Sequence, residues 1–233
     1  MQRYPNPELD RIILDTLAEK YKLLERREGI HLSTLNYCLT KSYFDQVSPL
    51  PPSDTELLLF ATGYALQEVL TPSFGEVKTF ERDGILYRPD SVFPVQLGGA
   101  EALVEIKSTR SGVKRYQEGN FPDTWITYMM GGCYIRNTTT YNLAVIYLAE
   151  RPTAKILSET IVFDEAEIKQ NWLWLIERRD IYKEALRAET VPTPFKYCAT
   201  WQCDSCRYKT VCDAITIMSR KEQVKEDIKE LWP

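Results

Sequence analysis

Ala102-Leu103-Val104-Glu105-Ile106-Lys107-Ser108-Thr109 is the stretch on which the fold turns. Side chains alternate faces along a strand, so Glu105 and Lys107 share one face and Val104 and Ile106 are left for the core. Upstream, residues 75–82 and 85–94 read as two strands joined at Asp83-Gly84, a dipeptide of tight hairpins. Pro89-Asp90 falls on the second of them. Downstream, residues 122–136 read as a helix, and residues 142–149 and 155–163 as two more strands. Asp164 and Glu167 have capping-box spacing and open a helix to about Ala188, ended by Val191-Pro192-Thr193-Pro194. Strands in this order, with helices around them, predict an α/β domain with a mixed sheet flanked by helices.

The rest of the chain extends that core at both ends. Residues 8–28 read as an amphipathic helix, with Ile13, Leu17, Tyr21 and Leu24 on one face of a 3.6-residue period. Ser33 is placed as the N-cap of a second helix carrying Cys38. After the breaker segment Ser48-Pro49-Leu50-Pro51-Pro52-Ser53, Asp54 is expected to cap a helix to about Leu70 that carries Gly63, Gln67 and Glu68. Residues 213–231 form the last expected helix. The expected organisation is one domain over 1–233: an N-terminal helical part (1–53), the core (54–190) and a cysteine-bearing C-terminal part (191–233).

Bulk composition narrows the class of protein. The 233 residues are 44% hydrophobic and 27% charged, ordinary values for a globular chain with a sizeable core. Met1-Gln-Arg-Tyr-Pro-Asn-Pro7 is not followed by the apolar stretch of a signal peptide, and the longest apolar run, Leu57-Leu58-Leu59-Phe60-Ala61, is core-sized. A cytoplasmic protein with no membrane association is therefore expected. The net charge of −4 lacks the basic excess usual in nucleic-acid binders, but Lys107, Arg110, Lys114 and Arg115 form a local basic stretch. Read without a function, that stretch is a solvated loop. The single histidine, His31, precedes a helix start, which fits a capping or surface residue and removes two-histidine zinc catalysis.

Two constellations carry chemistry. The first is Pro89-Asp90, fourteen intervening residues, then Glu105-Ile106-Lys107. Two carboxylates brought together repel each other, and a divalent cation relieves that repulsion. A neighbouring lysine can orient a water or offset phosphate charge. Gln67 offers a weak hard-ion ligand from the preceding helix. Glu68 points about 100° away around that helix, so the two do not aim at one ion. Strand-edge Glu and Lys pairs are commonly just solvated, so the pairing with Asp90 is what raises the functional reading.

The second constellation is Cys203-x2-Cys206-x5-Cys212. Clustered thiols without a secretory context favour metal ligation over disulfides. Local zinc would use Cys198, Cys203, Cys206 and Cys212, whereas an iron–sulfur cluster would draw its fourth ligand from distant Cys38. The loose second spacing and the remote fourth cysteine follow ferredoxin logic more closely than paired zinc spacing. Ligation by Cys38 would close a loop of some 165 residues, stabilising by on the order of 4–5 kcal/mol in the chain-entropy picture. Cys133, beside Met129 and Met130, reads as a small buried apolar residue.

Taken in order, Cys38, Gly63-x3-Gln67-Glu68, Asp90, Glu105-Ile106-Lys107 and Cys203-x2-Cys206-x5-Cys212 resemble the RecB-like PD-(D/E)XK nucleases that carry an iron–sulfur clamp. These are the CRISPR-associated exonucleases of the fourth Cas family, their viral relatives and the AddB nuclease domain. The resemblance spans about residues 33–212, and Cys38-Leu-Thr-Lys41-Ser-Tyr-Phe looks like the family's cysteine-led basic segment. It implies a restriction-endonuclease-like core, with N- and C-terminal helical segments clamped by a [4Fe-4S] cluster on Cys38, Cys203, Cys206 and Cys212. It further implies cleavage of single-stranded DNA or DNA ends with Mg²⁺ or Mn²⁺. Carried over by position, Asp90, Glu105, the Ile106 carbonyl and Gln67 would hold the ion, and Lys107 would position the attacking water. Lys41, Arg110, Lys114, Arg115 and Tyr128 would meet the DNA. CRISPR adaptation proteins are implied partners, and host cytoplasm is the location if the chain is viral.

Two departures stand out. Gln67 occupies a position where the family has histidine. The family's Gln-x3-Tyr motif has no glutamine here, its best registers being Tyr128 with Gly132 or Thr124 with Tyr128. A second reading therefore stands beside the nuclease: a DNA-end or protospacer-binding module with a weakened site. A third is a zinc module attached to an unrelated α/β domain.

Overall fold

The computed structural model describes residues 5–24, 28–70, 77–94, 101–196 and 198–231. Four helices come first: α1 (Pro7–Leu24), α2 (Leu32–Asn36), α3 (Leu39–Val47) and α4 (Asp54–Leu70). Six strands follow with one helix among them: β1 (Phe80–Arg82), β2 (Ile85–Tyr87), β3 (Ser91–Pro94), β4 (Glu101–Thr109), α5 (Asp123–Arg136), β5 (Thr140–Tyr147) and β6 (Lys155–Val162). The long α6 (Glu165–Ala188), the short α7 (Thr200–Asp204) and α8 (Lys209–Leu231) complete the chain.

β3, β4, β5 and β6 form one sheet in that order. β4 and β5 run parallel and the outer pairs antiparallel. The parallel step needs a crossover, and α5 supplies it. A mixed sheet flanked by helices is thus the observed architecture. Among the described residues no helix is long and apolar enough to cross a membrane.

The core lies on one face of this sheet. Tyr141, Leu143, Val145 and Tyr147 of β5 are all buried there, alternating with half-buried neighbours. α5 packs on α6, and α2 and α3 also lie on α6. Close approach of α5 depends on Gly131, where a Cβ would stand 2.7 Å from Leu32 Cδ1 and 3.1 Å from Leu175 Cδ1. Arg178 of α6 is buried and ties the α2–α3 junction down. Its Nε donates to Leu35 O over 2.5 Å, its Nη2 donates to Tyr37 O, and its guanidinium lies over the Trp174 ring at 4.5 Å.

Four local expectations are corrected. Cys38 is not inside a helix begun at Ser33: α2 starts after His31, and Cys38 is the N-cap of α3. The break at Tyr37 frees the Cys38 N–H, which donates to Gln202 Oε1 over 3.0 Å. Ser53, not Asp54, caps α4, because Ser53 and Glu56 exchange bonds in a capping box (Ser53 N to Glu56 Oε2, 2.9 Å; Glu56 N to Ser53 Oγ, 3.3 Å). The strand expected over 85–94 is two strands, since Pro89 lacks an N–H for a ladder. β2 pairs with β1 in a small separate sheet and β3 pairs with β4. Finally, α8 begins at Lys209 and takes in Cys212, and α7, which carries Cys203, went unread in the sequence. The part of the first expected strand and of the first helix that falls on 75–76 and 25–27 lies outside the described residues.

Candidate active site and thiol pocket

The end of the β3–β4 ladder builds the carboxylate site. The last paired residues are Ser91 and Val104. Beyond them the Ile106 N–H has no strand partner on that side, and Asp90 Oδ2 accepts it over 2.9 Å. Asp90 therefore caps the ladder with its side chain. One of its oxygens is fixed against β4 beside Glu105 and Lys107.

Glu105 and Lys107 share a face, as strand geometry requires, and that face is the core face. They stand opposite Leu143 and Val145 of β5. Glu105 is only 2% exposed, and the expected split of Val104 and Ile106 into the core is corrected: Val104 is buried, while Ile106 is half-buried. Lys107 Nζ makes an ion pair with Glu105 Oε1, and Tyr141 Oη donates to Glu105 Oε2 over 3.3 Å. Burial pushes the Glu105 carboxyl up to about 7, with Lys107 opposing and Asp90 adding to the rise. Burial alone would lower Lys107, but the Glu105 and Asp90 carboxylates outweigh it and its net shift is upward. Lys107 is thus a fixed cation near neutrality, suited to holding an anion or a water and not to taking a proton.

Other predicted residues are distributed as follows. Tyr128 Oη donates to Arg88 O over 2.9 Å, and its ring centroid is 5.8 Å from Lys107 Nζ, so Tyr128 does border the carboxylate site. Arg110, Lys114 and Arg115 are exposed, the last two on a 3-10 helix (Val113–Gly119) that follows β4. Lys41 stands at the thiol pocket, paired with Asp45 at 2.6 Å. Gln67 is on α4, and its side chain lies outside the described residues.

Sequence reading missed three tyrosines. Tyr37 is 37% exposed overall, its phenol is pushed up by burial, and it sits in the field of Lys107, Glu105 and Asp90. Tyr87 and Tyr141 are fully buried, with their hydroxyl oxygens 2.6 Å apart. The signal for Tyr141 was its parity: it faces the same way as Glu105 once β5 is set parallel to β4.

The thiols assemble elsewhere. Cys38, Cys198, Cys203, Cys206 and Cys212 all line one cavity of about 50 Å³, with Lys41 and Lys196 at its wall. Cys198 and Cys203 Sγ are 3.7 Å apart. Burial pushes Cys212 up to about 11 and raises Cys206 and Cys198 as well, so these groups stay protonated thiols near neutrality unless a metal supplies positive charge. The walls meet through hydrogen bonds between distant parts of the chain. Besides Cys38 N to Gln202, Lys196 N donates to Thr40 Oγ1 over 3.2 Å, Tyr208 Oη to Asp45 Oδ1 over 2.8 Å, and Arg207 Nη1 to Leu50 O over 2.8 Å. Cys133 is buried in the core, away from this cavity, as its apolar neighbours predict.

Among the described residues no three His, Cys, Asp or Glu side chains stand ready-made around a single ion. The acidic site brings two carboxylates together, hard oxygen donors of the kind a divalent cation takes. The five thiols are spread around a cavity, a soft donor set suited to iron–sulfur or zinc.

No model of a protein family matches the chain, and no curated protein does. Among solved structures the chain is similar to the crystal structure of SSO0001, with a TM-score of 0.53 and 16% identity over 89% of this chain and 97% of that one. It also matches an alkaline exonuclease (LHK-Exo) from Laribacter hongkongensis, with a TM-score of 0.45 and 11% identity over 75% of this chain and 95% of that one. The likeness to SSO0001 is one of fold.

Proposed function

We propose that this chain is a divalent-metal-dependent deoxyribonuclease of the RecB-like PD-(D/E)XK kind, acting mainly on single-stranded DNA or DNA ends as an exonuclease. The observation that carries the reading is the convergence of Asp90, Glu105 and Lys107 where the β3–β4 ladder stops. Asp90 and Glu105, with the Ile106 carbonyl, would hold Mg²⁺ or Mn²⁺. When bound, that cation supplies charge neutralisation at a phosphoryl oxygen and acidifies a coordinated water. Lys107 keeps its proton and orients the water or offsets phosphate charge. Tyr128 and Tyr37 flank the site with aromatic surface on which an unpaired base can stack, and Arg110, Lys114 and Arg115 offer exposed cations for the backbone beyond it.

The thiol cavity is read as the seat of a [4Fe-4S] cluster on Cys38, Cys203, Cys206 and Cys212, with Cys198 alongside. Its role is structural. It would reinforce the hydrogen-bonded junction between the 38–50 stretch of the N-terminal helices and residues 196–208. CRISPR adaptation proteins are the proposed partners, in a cytoplasmic setting.

Cleavage of end-labelled single-stranded DNA in Mn²⁺ by wild type, Asp90→Ala and Lys107→Ala tests the enzyme. Loss of cleavage in both variants is expected, and wild-type rates in both would end the reading. Anaerobic purification with an absorption spectrum and iron and zinc analysis tests the cluster. Colourless protein containing zinc and no iron would exclude it.

A further inference from the structure

Glu105 is gripped from two sides. Lys107 takes Oε1, and Tyr141, which faces Leu103 across the β4–β5 pair, sends its hydroxyl to Oε2 over 3.3 Å. Behind Tyr141 stands Tyr87, with the two hydroxyl oxygens 2.6 Å apart. In the ionised state in which it would hold a cation, the Glu105 carboxylate only accepts hydrogen bonds, so Tyr141 donates to Glu105 and must accept from Tyr87. The donor order is therefore Tyr87 to Tyr141 to Glu105, an arrangement in which each bond polarises the next. Both rings are fully buried, which shields the two hydroxyls from bulk solvent.

Room for the two phenols exists because residue 132 has no side chain. A Cβ on Gly132 would lie 2.6 Å from Tyr87 Cζ and Oη and 3.0 Å from Tyr141 Cε2. Gly132 is one helical turn beyond Tyr128, which itself borders Lys107. The helix face that fronts the acidic site thus recedes at Gly132 and the tyrosine pair fills the space.

We propose that Tyr87 and Tyr141 form a positioning relay that orients the Glu105 carboxylate to receive a divalent cation. This rests on the reading of Asp90 and Glu105 as cation ligands. The two tyrosines touch neither substrate nor cation and act through Glu105. A pair that merely satisfied itself in the core would leave cation affinity alone.

The test is calorimetric titration of Mn²⁺ into the full chain as wild type, Tyr141→Phe and Tyr87→Phe, with urea unfolding of the same preparations. Outer partners of metal ligands commonly govern affinity by 10–100-fold, so Tyr141→Phe is expected to bind Mn²⁺ about tenfold more weakly. Tyr87→Phe, one bond further out, is expected to show about a threefold loss. DNA cleavage by Tyr141→Phe should recover at high Mn²⁺, whereas cleavage by Lys107→Ala should not. Wild-type affinity in Tyr141→Phe overturns the relay and leaves the nuclease reading standing. No Mn²⁺ uptake by the wild type overturns the acidic site and the relay with it. If Tyr141→Phe fails to fold, Tyr87→Phe decides: weakened binding supports the relay, and unchanged binding overturns it.

Discussion

Replacing Lys107 with methionine should make the chain's stability depend on pH in a way the wild type's does not. Methionine keeps an unbranched side chain and removes the ammonium that pairs with Glu105. In the wild type, burial lifts the Glu105 carboxyl from 4.5 to about 7, and Lys107 restrains it there. Without Lys107 the carboxyl rises above 7. A carboxyl raised on folding holds more protons folded than unfolded between its two pKa values. Stability is therefore full below the unfolded value, falls as pH rises through the window, and levels off above the folded value. For the wild type the fall ends near pH 7, and for Lys107→Met it runs on. Each unit of that extension is worth about 1.4 kcal/mol. The destabilisation caused by the substitution should thus be about 1.4–2 kcal/mol larger near pH 8.5 than near pH 6. At the alkaline end it should approach the roughly 3–5 kcal/mol cost of a buried charge stripped of its partner. Urea unfolding of both proteins in EDTA at the two pH values measures this, and the titrations of groups remote from Lys107 cancel in the difference. An equal loss at both pH values, or a larger one at pH 6, would refute the account of Glu105 as a buried carboxylate restrained by Lys107.

Mn²⁺ affinity, measured by calorimetry, should strengthen between about pH 6 and pH 8, because the cation displaces a proton from a carboxyl that titrates near 7; a flat profile counts against Glu105 as a ligand. Cys38→Ala should strip most of the iron and visible absorbance from anaerobically purified protein, while Cys198→Ala keeps both; the reverse pattern would hand the pocket to zinc. Arg178→Met orphans two carbonyls at the α2–α3 junction, Leu35 O and Tyr37 O, and should cost about 2–4 kcal/mol in urea unfolding; a loss under about 1 kcal/mol would show the junction to be held by packing instead.

Much of the fold was legible because local pattern and tertiary role agree. The strand expected over 142–149 is β5, shifted by two residues, and the capping signal at Asp164, which accepts from Ala166 N and Glu167 N, read correctly. The hairpin turn at Asp83-Gly84 also read correctly. The breaks did not read. Tyr37-Cys38 carries no proline or glycine, and its departure from helix is imposed by partners far along the chain, Gln202 and Arg178. The site divided the same way. Asp90, Glu105 and Lys107 were visible as residue types at a spacing, but the burial of Glu105 was not. A strand pattern tells which residues share a face; it does not tell which face the helices cover.

The residues themselves determined a mixed sheet flanked by helices, an acidic pair with a lysine, and clustered thiols of the type a soft metal takes. Strand alternation, turn chemistry and donor type are properties of short segments and need no knowledge of the rest. Tertiary structure alone decided that Cys38 and Cys198 share a cavity with the distal three, that Glu105 faces inward against Tyr141, and that Gly132 makes room for the tyrosines. Those facts depend on contacts between residues tens to more than a hundred positions apart, which only the packed chain brings together.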